Sequence, residues 1–347
     1  MAIQINRERR RNPLSERVVF SFCLGIAVGC LFLNDWKYTG GIALQDLDLS
    51  YSSVTGGNVS NGGDMEKMKR YWKYSQTYRY IAPASRYDYI PVPAKECGAS
   101  PDFDPWWQLS YPDRSRMNED KFIYETFFKN QTSDNFMGTY VELGAFNGRQ
   151  ESNTRFFDLC LGWKGLLIEG NPENYEKTIS NRPYAHKMSL APSCSAEYEA
   201  VNKTIQFYRY PMTNVGLVGH AKTYREKPTV DVPCGPLSPI LEDMFADDND
   251  SGSGTTLPTL DFFSLDVEGA EMMVLSTINF HAIRINILMI EIQNNFCQSE
   301  QCKVRMDVRA KMAAEGYKRY EKLVHASDIY VHPESPYQIS ESIAIPK

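Results

Sequence analysis

Four acidic clusters in this chain each follow a short apolar run: Glu142-Leu-Gly-Ala-Phe-Asn-Gly148, Glu169-Gly-Asn-Pro172, Asp266-Val-Glu-Gly-Ala-Glu271 and Glu291-Ile-Gln293. In the first, Gly144 lets the backbone turn sharply and approach a ligand closely. Its spacing is G-x-x-x-G, not the G-x-G-x-x-G of dinucleotide enzymes, and no Lys-Ser/Thr pair follows to cradle phosphates. That points to a ligand without a pyrophosphate; an ordinary tight turn is the bland alternative. Glu169 lies 25 positions past Gly144, where a carboxylate at a strand end accepts both hydroxyls of a ribose. Together the two signals point to a nucleoside. The carboxylates of 266–271 could cap a helix N-terminus or face the pocket, and their position at a strand end favours the pocket for Asp266 and Glu268. Asp266, Glu268, Glu291 and His220 are the candidates for a general base.

These residues need a frame that brings strand ends together. Apolar runs read as strands at 139–143, 165–169, 184–190, 260–265, 285–292, 317–323 and 329–332. Helical patterns fall at 119–129, 152–161, 172–179, 270–277 and 303–314. Alternating strands and helices, with strands apolar throughout, predict a parallel sheet covered on both faces. Ligands then bind beyond the carboxyl ends of the strands, where strand order reverses. Residues 192–258 read as an irregular insert with one strand at 205–210, ending in an acidic Gly/Ser-rich loop.

The chain has 347 residues, 42% apolar and 23% charged, with net charge −6. This is globular composition, with no basic stripe for nucleic acid. Arg7, Arg9, Arg10, Arg11 and Arg17 precede an apolar run at 18–33. The run reads as a signal anchor spanning the membrane once, with the basic side cytoplasmic and the rest luminal; a cleaved signal is the alternative. The expected organisation is a cytoplasmic tail (1–17), an anchor (18–34), a flexible stem (35–64), a Tyr/Pro-rich segment packing on the domain (65–116), the main domain (117–335) and a C-terminal tail (336–347). Sequons at Asn58, Asn130, Asn202 and Asn249 suit a protein facing the lumen of the endoplasmic reticulum or Golgi. Cys97, Cys160, Cys194, Cys234, Cys297 and Cys302 permit up to three disulfides there, in any of fifteen pairings. No pair has zinc-ligand spacing with a second pair, and no metal ligand set is read from the sequence.

The stretches "VELGAFNG", "SNT", "LGWKGLLIEGNP", "LDFFSLDVEGAE" and "INILMIEIQ" resemble the FkbM family of S-adenosylmethionine-dependent methyltransferases, in its eukaryotic E-[LI]-G-A-x-[DN]-G branch. The resemblance covers roughly residues 118–332, and the insert at 192–258 lies outside its motifs. In the commoner family form the first motif is G-A-N-x-G preceded by Asp; here Glu142 stands for the Asp and Phe146 for the Asn. The resemblance implies a Rossmann-like class I methyltransferase fold, with a mostly parallel seven-stranded sheet and helices on both faces. It implies a cofactor site of Glu142, Gly144, Ala145, Asn147, Gly148, Asn153, Glu169, Asn171, Ser189 and Asp266. Asp266, Glu268 and Glu291 become the expected catalytic residues. The implied reaction is O-methylation of a hydroxyl-bearing acceptor, for a luminal member a sugar or glycan. The physics agrees, because the cofactor is a nucleoside with a cationic sulfonium and no phosphate, and the pocket is anionic. Two rivals stand beside this reading. An anchored glycosyltransferase would need a metal-binding D-x-D, available only as Asp46-Leu-Asp48, Asp102-Phe-Asp104 and Asp248-Asn-Asp250. A luminal binding protein could retain the fold without catalysis.

Overall fold

The computed structural model describes residues 78–84, 96–131, 136–221, 223–246, 257–293, 297–299 and 301–339, all within the compact unit Val59–Lys347. The expected anchor and stem, and the acidic loop at 247–256, lie outside the described residues. Among the described residues no helix is long and apolar enough to cross a membrane.

Ten strands are present: β1 (Tyr80–Ile81), β2 (Thr139–Leu143), β3 (Lys164–Glu169), β4 (His186–Ser189), β5 (Thr204–Tyr208), β6 (Thr229–Pro233), β7 (Thr259–Leu265), β8 (Arg284–Glu291), β9 (Lys318–Tyr320) and β10 (Ser327–Val331). The main sheet has eight strands in the order β1-β4-β3-β2-β7-β8-β10-β9. Strands β4, β3, β2, β7 and β8 pair in parallel, while β10 runs antiparallel between β8 and β9. The expected count of seven is therefore one short. The extra strand, β1, comes from the Tyr/Pro-rich segment and adds antiparallel to β4. A two-residue strand carries no alternation to read.

Six of the eight residues of β8 are fully buried, as a strand covered on both faces requires. From Ile287 to Ile290 its side chains alternate between two cores. Ile285, Leu288 and Ile290 join one with Val141, Leu143, Ile240 and Met312. Ile287 and Met289 join the other with Tyr140, Phe156, Phe157 and Trp106. Chain order runs outward from β2 through β3 to β4 on one side and from β7 to β8 on the other. The order thus reverses between β2 and β7, which places a ligand crevice at their carboxyl ends.

Three disulfides select one of the fifteen pairings: Cys97–Cys160, Cys194–Cys234 and Cys297–Cys302. The second joins the start of the insert to the residue just after β6, and the insert is more ordered than the sequence suggests. It contains the helices Ala196–Asn202 and Ser238–Phe245 and a two-stranded β5–β6 hairpin. The helix expected at 119–129 is α-helical over Glu119–Ile123 and π-helical over Tyr124–Phe128.

Candidate active site

A cavity opens at the carboxyl ends of β2, β3, β7 and β8. Its floor is the turn after β2. Gly144 adopts φ 86°, and its N–H donates to the Ile168 carbonyl at 3.0 Å. A Cβ there would lie 1.7 Å from the Asp266 carbonyl oxygen. Glycine is therefore required not only by the turn but by contact between the first motif and the "DVEGAE" backbone.

On the β2 side every carboxylate is held by donors. Glu142 accepts from Ser152 Oγ at 2.7 Å, Asn153 N at 2.8 Å and Thr154 Oγ1 at 2.7 Å. It also pairs with the buried Arg182 at 3.4 Å. These bonds hold 152–154 out of the helix, which spans Arg155–Leu159 instead of starting at 152 as the sequence predicts. Arg182 further donates to Asp158 at 2.7 Å and to the Tyr140 hydroxyl at 2.7 Å. Glu169, at the end of β3, is oriented by two backbone amides: Phe146 N donates to Oε2 and Asn171 N to Oε1, both at 2.7 Å. Each oxygen keeps a lone pair, enough for one hydroxyl apiece. Burial pushes the Glu169 carboxyl up to about 7, against the pull of those amides.

On the β7 and β8 side the carboxylates face one another. Asp266 and Glu291 share a hydrogen bond. Burial, then repulsion from Asp266, pushes Glu291 up to about 12. Burial also raises Asp266, with repulsion from Glu151, Glu142 and Glu119 adding to it. Glu268 is pushed up to about 9 by burial, then by Asp266 and Glu271. It does not cap the following helix: its Oε1 accepts from Asn214 Nδ2 at 2.8 Å. The turn is instead held by Glu271, whose Oε1 accepts from Val267 N and Gly269 N at 3.1 Å.

Five non-glycine lining residues, Phe146, Glu151, Asn214, Glu268 and Ala326, adopt positive φ between 48° and 61°. Each such conformation costs of order 1–3 kcal/mol, and they concentrate where function outweighs stability. The insert supplies one wall through Phe207, Met212, Asn214 and Leu217.

Of the sequence-predicted residues, Glu142, Gly144, Ala145, Asn153, Glu169, Asp266, Glu268 and Glu291 line the cavity. Asn147, Gly148, Asn171 and Ser189 stand behind the wall. Asn147 Oδ1 accepts from Arg149 N and Gln150 N. Gly148 packs on Arg182, and Asn171 caps the helix Pro172–Asn181 through Glu173 N and Asn174 N. Ser189 is buried in register with Glu169. His220 is exposed and lies outside the lining. Asp102 and Asp104 are also exposed and outside it, and the other D-x-D motifs lie outside the described residues. Gln293, read with Glu291 at the rim, also lines the cavity. Sequence reasoning missed His325, and it missed Arg182 and Asn214, whose partners are distant in the chain. It also gave Glu271 no role, although Glu271 is the third carboxylate of the quoted motif.

Residues 142–319 match the methyltransferase FkbM domain. The chain belongs to the FkbM methyltransferase family. The matched segment runs from Glu142 in β2 to Arg319 in β9 and so contains both sides of the FkbM cavity. A structural relative is methyltransferase FkbM from Methylobacillus flagellatus KT, at 13% identity and a TM-score of 0.31. The likeness covers 78% of this chain and 60% of that one, so this chain spans less than two thirds of that protein's length. No curated protein matches significantly.

Proposed function

We propose that this FkbM protein is an S-adenosylmethionine-dependent O-methyltransferase acting on a sugar or other hydroxyl-bearing acceptor in the secretory pathway. The observation that carries the reading is Glu169: a buried carboxylate, fixed by two amides, with one free lone pair per oxygen at the end of β3. That donor set fits a ribose diol. The turn at Gly144 allows close approach without a phosphate cradle, which fits a nucleoside lacking phosphate. S-adenosylmethionine, when bound, supplies an already activated methyl group. Asp266 offers it negative charge, because the charge of Glu142 is already met by Arg182. Glu268, held towards the cavity by Asn214, orients the acceptor hydroxyl and, in its ionised form, takes its proton, so turnover should rise with pH towards 9.

Glu268→Gln keeps shape and removes basicity. Turnover should fall by about 10²–10⁴, with cofactor affinity and thermal stability nearly unchanged. An unchanged rate per folded molecule would refute the role of Glu268.

The luminal setting is supported by three disulfides, which persist in oxidising compartments, and by exposed sequon residues Asn130 and Asn202. The run at 18–33 would then be a type II anchor. Glycosidase treatment of the expressed protein should raise its gel mobility; membrane-bound protein with no shift would contradict this orientation.

A further inference from the structure

Asp266 follows β7, Glu271 opens the helix Glu271–Leu275, and Glu291 ends β8. Each can offer one carboxylate oxygen such that the three lie within 4.8 Å of one another. Among the described residues, several other buried carboxylates have cationic partners: Asp120 pairs with Arg114, Asp158 with Arg182 and Asp328 with Arg309. Both oxygens of the buried Glu169 and Asp261 are met by hydrogen-bond donors instead. Among the described residues no ion pair involves Asp266, Glu271 or Glu291.

A second observation is independent of this crowding. Glu271 is fully buried. Its Oε1 is satisfied by two backbone amides, yet its Oε2 has no hydrogen-bond partner. Glu291 Oε2 is likewise buried and unpartnered. Burying a carboxylate oxygen without a donor costs several kcal/mol, and nearly all such atoms in folded proteins are satisfied. Two in one cluster mark a partner that the chain does not itself supply.

We propose that Asp266, Glu271 and Glu291 form a binding site for one divalent cation. Hard cations take carboxylate oxygens at about 2.0–2.6 Å, so ligand oxygens on opposite sides of the ion stand about 4–5 Å apart, the span found here. Glu271 sits behind, held by the turn, while Asp266 and Glu291 also line the cavity. The open positions of the ion therefore face the space assigned to the acceptor. This last role rests on the methyl-transfer reading; the cation site does not. A cation there would favour an acceptor with two neighbouring oxygens and would lower the pKa of a bound hydroxyl.

The test is a titration of the metal-free full-length protein with Mn²⁺, following free Mn²⁺ by electron paramagnetic resonance. Folded wild type should bind one Mn²⁺ per chain, displaceable by Mg²⁺ or Ca²⁺. Glu291→Gln and Glu271→Gln should each weaken binding at least tenfold; the latter keeps the acceptor for the Val267 and Gly269 amides and so preserves the turn. Absence of bound Mn²⁺ in folded wild type would overturn the site, as would equal binding in both folded variants. S-adenosylmethionine titrated into the same sample separates the two readings. Cofactor binding without Mn²⁺ sinks the cation site alone, and Mn²⁺ binding without cofactor sinks the methyltransferase reading alone.

Discussion

Glu142 and Asp266 leave the sheet from neighbouring parallel strands, in contact through the Asp266 N–H and the Leu143 carbonyl, yet their surroundings are opposite. Around Glu142 stand two hydroxyls, a backbone amide and Arg182. Around Asp266 stand Glu268, Glu271 and Glu291, and among the described residues no ion pair involves Asp266, Glu271 or Glu291. The contrast separates two uses of a buried acid. A carboxylate saturated with donors fixes the geometry of its neighbours and is chemically quiet. Carboxylates gathered against one another are held there at a cost in stability, and they keep their charge or their proton for something that binds.

The largest effect expected from breaking this contrast is on the quiet side. Arg182→Met leaves Glu142 and Asp158 buried without their cation, and should cost about 3–5 kcal/mol of stability in chemical denaturation. A loss below about 1 kcal/mol would show that the network is not the scaffold of the first motif.

Neutralising one acid on each side sharpens the comparison, because the signs should differ. Glu142→Gln weakens charge-assisted bonds to Ser152, Asn153 and Thr154 and should cost about 1.5–3 kcal/mol. Glu291→Gln removes the cost of burying an ionisable acid against Asp266 and, in chelator-treated protein, should gain about 1 kcal/mol. Thermal melts of both variants check this, and losses of equal size would erase the distinction.

Glu169 belongs to the donor-held side, at the end of β3, and tests the contrast through pH. Burial raises its carboxyl to about 7, and only the ionised form accepts from both ribose hydroxyls. The sign follows: affinity for S-adenosylmethionine should rise with pH through 7, by about tenfold between pH 6 and 8. Glu169→Gln should flatten that dependence. A slope of equal steepness in the variant would place the titrating group elsewhere.

The reach of the sequence followed the same physics. Strands β2, β3, β7 and β8 were legible because their apolar runs need burial on both faces. The helix Lys303–Ala314 was predicted over 303–314, with Gly316 just beyond its end. The helix Ala196–Asn202 was not legible: it buries no residue, so it carries no apolar stripe. At the site, Glu142, Glu169, Asp266 and Glu291 could be found because strand ends deliver them in a fixed order. Arg182 and Asn214 could not, since each reaches a partner 40 and 54 residues away, a relation that no local spacing records.

The central claim is that the crevice between these two sides holds S-adenosylmethionine, and isothermal titration calorimetry of the purified full-length protein tests it most directly. Wild type should bind one S-adenosylmethionine per chain and no nucleotide sugar. Glu169→Ala should weaken that binding by about 1–3 kcal/mol, the cost of leaving buried hydroxyls unpaired. Nucleotide-sugar binding in its place, no binding of either, or S-adenosylmethionine binding indifferent to Glu169→Ala would contradict the account.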